Sequence, residues 1–270
     1  MRIVRFASSS GRSFGVLDGD GFVAAIDGHP FGQISFTGPR FAQADVRLLS
    51  PILPSKVVAI GKNYAEHIAE MDTGDAPKAP LIFLKPSTAV IGPGDAIRIP
   101  PGSTNVHHEV ELGVVIGARG ARNVTEEQAM ASVFGYTIGN DVSERDMQKS
   151  DGQWTRAKGF DSFCPIGPWI ETDLPALGLD PADLEVTCTV DGEPRQQGRT
   201  SQLIFDVPTL ISYISQVMTL LPGDVVLTGT PSGVGPIAPG QRVEVTIQGL
   251  GSLANSVAAA EGVSTAGSAR

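Results

Sequence analysis

The stretch His108-Glu109-Val110-Glu111-Leu112-Gly113-Val114-Val115-Ile116-Gly117 decides how the chain folds. From Val110 onward it is almost entirely apolar and rich in β-branched residues, which predicts a strand over 110–117. Side chains alternate across a strand, so Glu109, Glu111, Gly113 and Val115 share one face. The two glutamates then have backbone positions about 6.5–7 Å apart. Carboxylates held that close repel one another unless a cation or a proton lies between them. A strand at a sheet edge would leave both in water, since charges do blunt edges. The apolar run that follows favours a central strand, with the acids at its buried mouth.

A third carboxylate follows in Gly139-Asn140-Asp141-Val142-Ser143, just past a strand expected over 133–139. An Asx-turn or a helix cap would also account for Asp141. Together, Glu109, Glu111 and Asp141 suit a hard, oxygen-preferring ion, Mg²⁺ or Mn²⁺ with Ca²⁺ as a further option, rather than zinc. Three acids leave coordination positions open for water or a bidentate substrate. His107 and His108 point to opposite faces of their strand. Hydrogen bonding for one and packing for the other are expected, and neither is assigned as a ligand.

His67 and Glu70 lie three apart on a short helix expected over 63–71, with Asn63 as its N-cap. A carboxylate beside an imidazole raises its basicity, as a general base near neutral pH requires. A solvated surface pair has the same spacing. Lys158, in Arg156-Ala157-Lys158-Gly159-Phe160-Asp161, reads as a surface charge or an anion holder. Thr228-Gly229-Thr230-Pro231-Ser232-Gly233-Val234-Gly235 is a glycine-rich turn whose backbone N–H groups can cradle a carboxylate. It lacks the lysine of a phosphate-binding loop, so nucleotide binding is not supported.

Outward from these segments, residues 1–50 form a small β-rich unit turning at Gly19–Gly21, and Ser50-Pro51-Ile52-Leu53-Pro54 reads as a linker. A catalytic domain is expected over 55–262 and a frayed tail over 263–270. Strands are expected near 81–84, 184–190, 224–228 and 242–247, with Asp191-Gly192 as a hairpin turn. Helices are expected over 125–131 and 209–221, the latter with Leu210, Ile214, Val217 and Leu221 on one face. The fold class is α+β, dominated by strands.

The 270 residues are 41% apolar and 18% charged, which excludes a mainly disordered chain. A net charge of −9 disfavours nucleic-acid partners. Two cysteines, Cys164 and Cys188, make neither a disulfide framework nor a zinc site, and read as buried thiols in a reduced compartment. The N-terminal residues lack an apolar signal-peptide core, and no run of 18 apolar residues occurs. A cytoplasmic protein without a membrane partner is expected.

Taken together, IGKNYAEHIAE (60–70), FLKPS (83–87), HEVELGVVIG (108–117), GNDVSERDMQ (139–148), AKGFDSFCPIGP (157–168) and GDVVLTGTPSGVG (223–235) resemble the fumarylacetoacetate hydrolase family. The resemblance spans about three quarters of the chain in one consistent order. It implies a mixed β-sandwich or barrel-like roll behind a small N-terminal region, and a homodimer. It implies metal ligands at Glu109, Glu111 and Asp141, a catalytic His67–Glu70 pair, an active-site Lys158, and substrate contacts at Arg145, Gln148 and Thr230. Glu144 stands where small residues are more usual, which puts substrate contacts there in question.

The activity implied is divalent-metal-dependent hydrolysis of C–C bonds in β-diketo acids such as acylpyruvates. The metal would chelate the α-keto acid end of a small keto-acid substrate, and the His–Glu pair would activate water. The same site would serve an oxaloacetate-type decarboxylase or a 2-hydroxyhepta-2,4-diene-1,7-dioate isomerase. A rival of another class is a non-catalytic, calcium-stabilised β domain.

Overall fold

The computed structural model describes residues 1–71 and 74–260, so the tail expected over 263–270 lies outside the described residues. The Val110–Ile116 strand is buried at every position. It is central, paired antiparallel with Val133–Asn140 on one side and with Val225–Leu227 on the other. Glycine permits that closeness: a Cβ on Gly139 would lie 2.4 Å from Leu227 Cδ2. The two faces of the strand enter different cores. Val110, Leu112 and Val114 pack with Val186, Cys188, Val245 and Ile247, whereas Val115 packs with Ala59, Cys164, Val225 and Leu227. Each fully buried Val or Leu contributes about 1.5–3 kcal/mol, so a slip in register would forfeit both cores at once.

From the central strand the large sheet grows both ways. Val225–Leu227 runs parallel to Val57–Gly61, and Leu81–Lys85 closes that edge antiparallel. On the other side Val133–Asn140 pairs with Cys164–Glu171, which pairs with Arg2–Ser8. Gly11–Leu17, Phe22–Ile26 and Phe36–Ala42 add to Arg2–Ser8 as a meander. The N-terminal strands thus extend the large sheet, with a small core of their own made of Val4, Phe6, Leu17, Val23 and Ala25. Ser50, Pro51 and Ile52 of the connecting segment are buried. A second sheet runs Glu193–Arg199, Glu185–Val190, Arg242–Ile247, Gly251–Ala259, Ala96–Ile99 and packs against the first. A short third sheet joins Ser143–Glu144, Val106–His108 and Gly235–Pro236. The expected strand-dominated fold with mixed sheets is the one observed.

The hairpin turn falls where expected, with Asp191 at φ 53° and Gly192 at φ 83°, the positive pair that a type I′ turn needs. Two helices differ from expectation. The helix expected over 209–221 is Val207–Val217, capped by Asp206, whose side chain accepts from Thr209 N. Met218 is extended and Leu220 pairs with Ala121, so the chain leaves the helix to join a bridge. Val217 and Leu221 are consequently exposed at 61% and 47%, not on the packed face. The helix expected over 63–71 is Ala65–Glu70, and Asn63 does not cap it. The Asn63 amide instead donates to Phe205 O and Thr228 O and accepts from Phe205 N, tying three segments together. Among the described residues, no helix is long and apolar enough to cross a membrane.

Candidate active site

Strand pairing brings the three carboxylates together. Val110 lies opposite Asn140, so Glu109, just before one strand, meets Asp141, just after the other. Asp141 N donates to Glu109 O at 2.8 Å, and Asn140 Oδ1 accepts from Glu109 N at 3.0 Å. Ligand atoms of Glu109, Glu111 and Asp141 lie within 4.8 Å of one another, and all three residues are buried.

Cations surround two of the three acids. Lys158 Nζ reaches Glu109 Oε2 at 2.9 Å and Asp141 Oδ2 at 2.6 Å. Arg145 pairs with Glu109 Oε1 at 2.5 Å, and Lys85 pairs with Asp141 Oδ1 at 2.5 Å. Glu111 forms no ion pair among the described residues and accepts only from Gly229 N, at 2.7 Å. The electrostatics follow. Burial alone would raise the Glu109 carboxyl, but Arg145 and Lys158 overcome it and hold it well below the usual range. Burial pushes Glu111 well above that range, and the charges of Asp141 and Glu109 push it further. Burial opposes the charge on Lys158, yet Asp141 and Glu109 prevail and raise it.

The residues fit a divalent cation. All donors are carboxylate oxygens, they converge, and Glu111 is a buried acid that forms no ion pair among the described residues. Each carboxylate offers about four lone-pair sites, so oxygens already facing an ammonium can also ligate. Such a donor set suits Mg²⁺, Mn²⁺ or Ca²⁺.

The Ala65–Glu70 helix forms the opposite wall. His67 Nδ1 lies 3.4 Å from Glu70 Oε2. Glu70 is held in turn by Gly233 N, which donates to both of its oxygens at 3.0 and 3.1 Å. The glycine-rich turn therefore does cradle carboxylates, and they are the chain's own: Gly229 N serves Glu111 and Gly233 N serves Glu70. Burial lowers the His67 imidazole below its ordinary value, Glu109 opposing and Arg145 assisting, which favours the neutral ring that can accept a proton.

One cavity of ≈ 200 Å³ touches both walls and is lined by His67, Glu109, Glu111, Asp141, Arg145, Gln148, Lys158 and Thr230. Of the expected site residues, only Glu70 is outside that lining, one step behind His67. Phe83 and Trp154, stacked edge to face, form an apolar flank. Arg145 Nη1 donates to Gln148 Oε1, fixing the two against each other. Glu144 is buried and caps the Arg145–Asp151 helix by accepting from Met147 N, so it bears on that helix and is not in the lining. Lys85 was missed as an individual site residue. Nothing in FLKPS marks it, because its burial and its pairing with Asp141 follow only from the tertiary fold. His108 is fully buried and His107 bonds Asn105 Oδ1 at 2.9 Å; neither is among the clustered ligands.

Comparison with known proteins gives two family matches. Residues 56–258 match the model described as fumarylacetoacetate (FAA) hydrolase, C-terminal, and residues 1–51 match the one described as Rv2993c-like, N-terminal. The chain is 55% identical over 263 residues to Protein Rv2993c of Mycobacterium tuberculosis, covering 95% of this chain and 98% of the relative. It is 47% identical over 200 residues to the mitochondrial oxaloacetate decarboxylase of Dictyostelium discoideum, covering 72% and 89%. A solved structure of 5-carboxymethyl-2-hydroxymuconate delta-isomerase from Mycobacterium smegmatis superposes with a TM-score of 0.89 at 52% identity, covering 96% of this chain and all of that one.

Proposed function

The chain belongs to the fumarylacetoacetate hydrolase family, and from that premise we propose that it is a divalent-metal-dependent hydrolase cleaving C–C bonds in β-diketo acids of the acylpyruvate type. The observation that carries the reading is the His67–Glu70 pair facing the three-carboxylate cluster across one cavity. Glu109, Glu111 and Asp141 would hold Mg²⁺ or Mn²⁺, which when bound supplies Lewis-acid polarisation of the substrate's keto group. His67, steadied by Glu70, takes a proton from water as that water adds to the distal acyl carbon. The C–C bond then breaks with its electron pair on the pyruvate half, and the enolate takes at carbon the proton that His67 accepted from water, which returns the ring to its neutral form. Lys158 and Arg145 offer positive charge to that anion. Gln148 and Thr230 orient the substrate. Phe83 and Trp154 keep water from the flank.

Charge supports an acidic substrate. The three acids are matched by the three cations Lys85, Arg145 and Lys158, and Lys62 and Lys149 also line the cavity, so a divalent ion would leave the site net positive. An anionic keto acid would offset that excess. A second reading, decarboxylation of oxaloacetate, is favoured by the relative of that name and would use the same residues. The non-catalytic calcium-stabilised domain gives way before a family whose members are enzymes.

The test is pyruvate release from acetylpyruvate against CO₂ release from oxaloacetate, each with Mg²⁺ and with Mn²⁺. Faster pyruvate release supports the hydrolase, and faster CO₂ release the decarboxylase. No turnover of either substrate with either metal sinks both. The proposal extends to a homodimer, which a one-chain mass in sedimentation equilibrium would rule out.

A further inference from the structure

The Thr230 hydroxyl meets the cavity with its hydrogen-bond polarity already set from outside. Gln196, in the Glu193–Arg199 strand of the second sheet, is buried beneath the glycine-rich turn. Its Oε1 accepts from Val110 N at 3.1 Å. A backbone N–H can only donate, so the amide's orientation is not a free choice. The other end of the amide donates to Pro231 O, which can only accept, at 2.8 Å, and to Thr230 Oγ1 at 2.7 Å. Both amide protons are thereby used. The same oxygen faces His108 Nδ1 at 3.0 Å, so that ring carries a proton there and becomes a second donor holding the amide in place. Thr230 Oγ1 is therefore an acceptor toward Gln196, and among the described residues no acceptor takes its proton. Thr230 is itself nearly buried and lines the cavity.

We propose that Gln196, locked by Val110 and His108, is a positioning residue that makes Thr230 an obligate hydrogen-bond donor to an anionic oxygen of the substrate, a carboxylate or keto oxygen of a 2-oxo acid. The inference rests on the reading that a 2-oxo acid occupies this cavity. The support beneath the turn is close on both sides of Thr230. A Cβ on Gly198 would lie 2.6 Å from Pro231 Cβ, and one on Gly233 would lie 2.1 Å from Arg195 O. The strand carrying Gln196 thus fixes the turn as well as the hydroxyl. A ligand presenting an N–H or a methyl at this point would leave the Thr230 proton unpaired, which selects against it.

The test titrates oxalate into the Mn²⁺-loaded chain by calorimetry, with KM and kcat for acetylpyruvate and oxaloacetate alongside and a melting curve for each variant. Thr230→Val should weaken oxalate roughly tenfold and raise KM with kcat within about twofold. Thr230→Ser should restore affinity. Gln196→Glu keeps an acceptor for Val110 but offers Thr230 a carboxylate in place of the N–H, so the hydroxyl proton turns away from the cavity. Its loss should match that of Thr230→Val although the hydroxyl remains. Gln196→Met with Thr230→Val should be no weaker than Thr230→Val alone, since one residue acts through the other. Additive losses, or wild-type affinity in Gln196→Glu, overturn the inference while leaving the functional reading intact. A wild-type chain that neither binds oxalate nor turns over either keto acid removes that reading and this inference with it.

Discussion

The two walls of the cavity are built to different tolerances. One is the sheet wall, where Glu109, Glu111 and Asp141 sit at the ends of buried, fully paired strands. The other is the six-residue Ala65–Glu70 helix, whose Glu70 side chain is 34% exposed and whose tie to the rest of the site is through Gly233 N and Ser232 Oγ. A helix of that length has little stability of its own. The sheet wall crowds buried carboxylates together, while the helix wall places an imidazole whose side chain is 12% exposed. In the proposed reaction, binding geometry would come from the sheet side, and the proton-handling group would ride on the short-helix side.

The largest expected effect breaks the sheet wall. Asp141→Asn or Glu111→Gln should lower kcat/KM by on the order of 10³ and abolish calorimetric Mn²⁺ binding. Glu111→Gln should also raise the melting temperature of the metal-free chain by about 2–4 °C, because it removes a buried carboxylate that its neighbours repel. A melting curve that falls instead would mean Glu111 is held by something other than a cation. On the helix wall, His67→Ala should cost about 10²–10³ in kcat while Mn²⁺ affinity stays at the wild-type value. Equal losses of metal and turnover would erase the distinction between the walls.

A smaller effect is expected where the walls are tied. Gly233 has φ 94° and no room for a Cβ, so Gly233→Ala should shift the N–H that holds Glu70 and reduce kcat about tenfold, with a loss of about 1–3 kcal/mol read from urea denaturation. The smallest is in pH. His67 titrates below its ordinary value of 6.5, so kcat/KM should stay level from pH 8 to 6.5 and fall only below that. Stability follows the same sign. The unfolded chain holds the His67 proton more tightly, so the group's contribution is complete above pH 6.5 and disappears as pH falls through the lower folded value. A profile already falling at pH 7 would assign the base elsewhere.

How much of this was legible in the sequence differs by wall. The central strand and its acids could be read because burial writes an apolar run, and strand alternation then fixes which side chains share a face. Asp141 was legible as a residue after a strand, but its nearness to Glu109 depended on which strands become neighbours. The polar supports were not legible. Gln196 is 86 positions from Val110, and Lys85 is 56 from Asp141, so no local pattern connects them. Asn63 looked like a cap because caps and long-range ties use the same amide. The helical spacing of Leu210, Ile214, Val217 and Leu221 carries the expected helix past Val217, and only the bridge of Leu220 to Ala121 shows why the chain departs.

One short segment touches both walls. Gly229 grips Glu111 and Gly233 grips Glu70, four residues apart. That span works as a ruler for the gap between the two walls. Lengthening it by a single residue would widen the opening without altering any reactive group, so chains sharing this chemistry can come to accept molecules of different sizes by editing one turn.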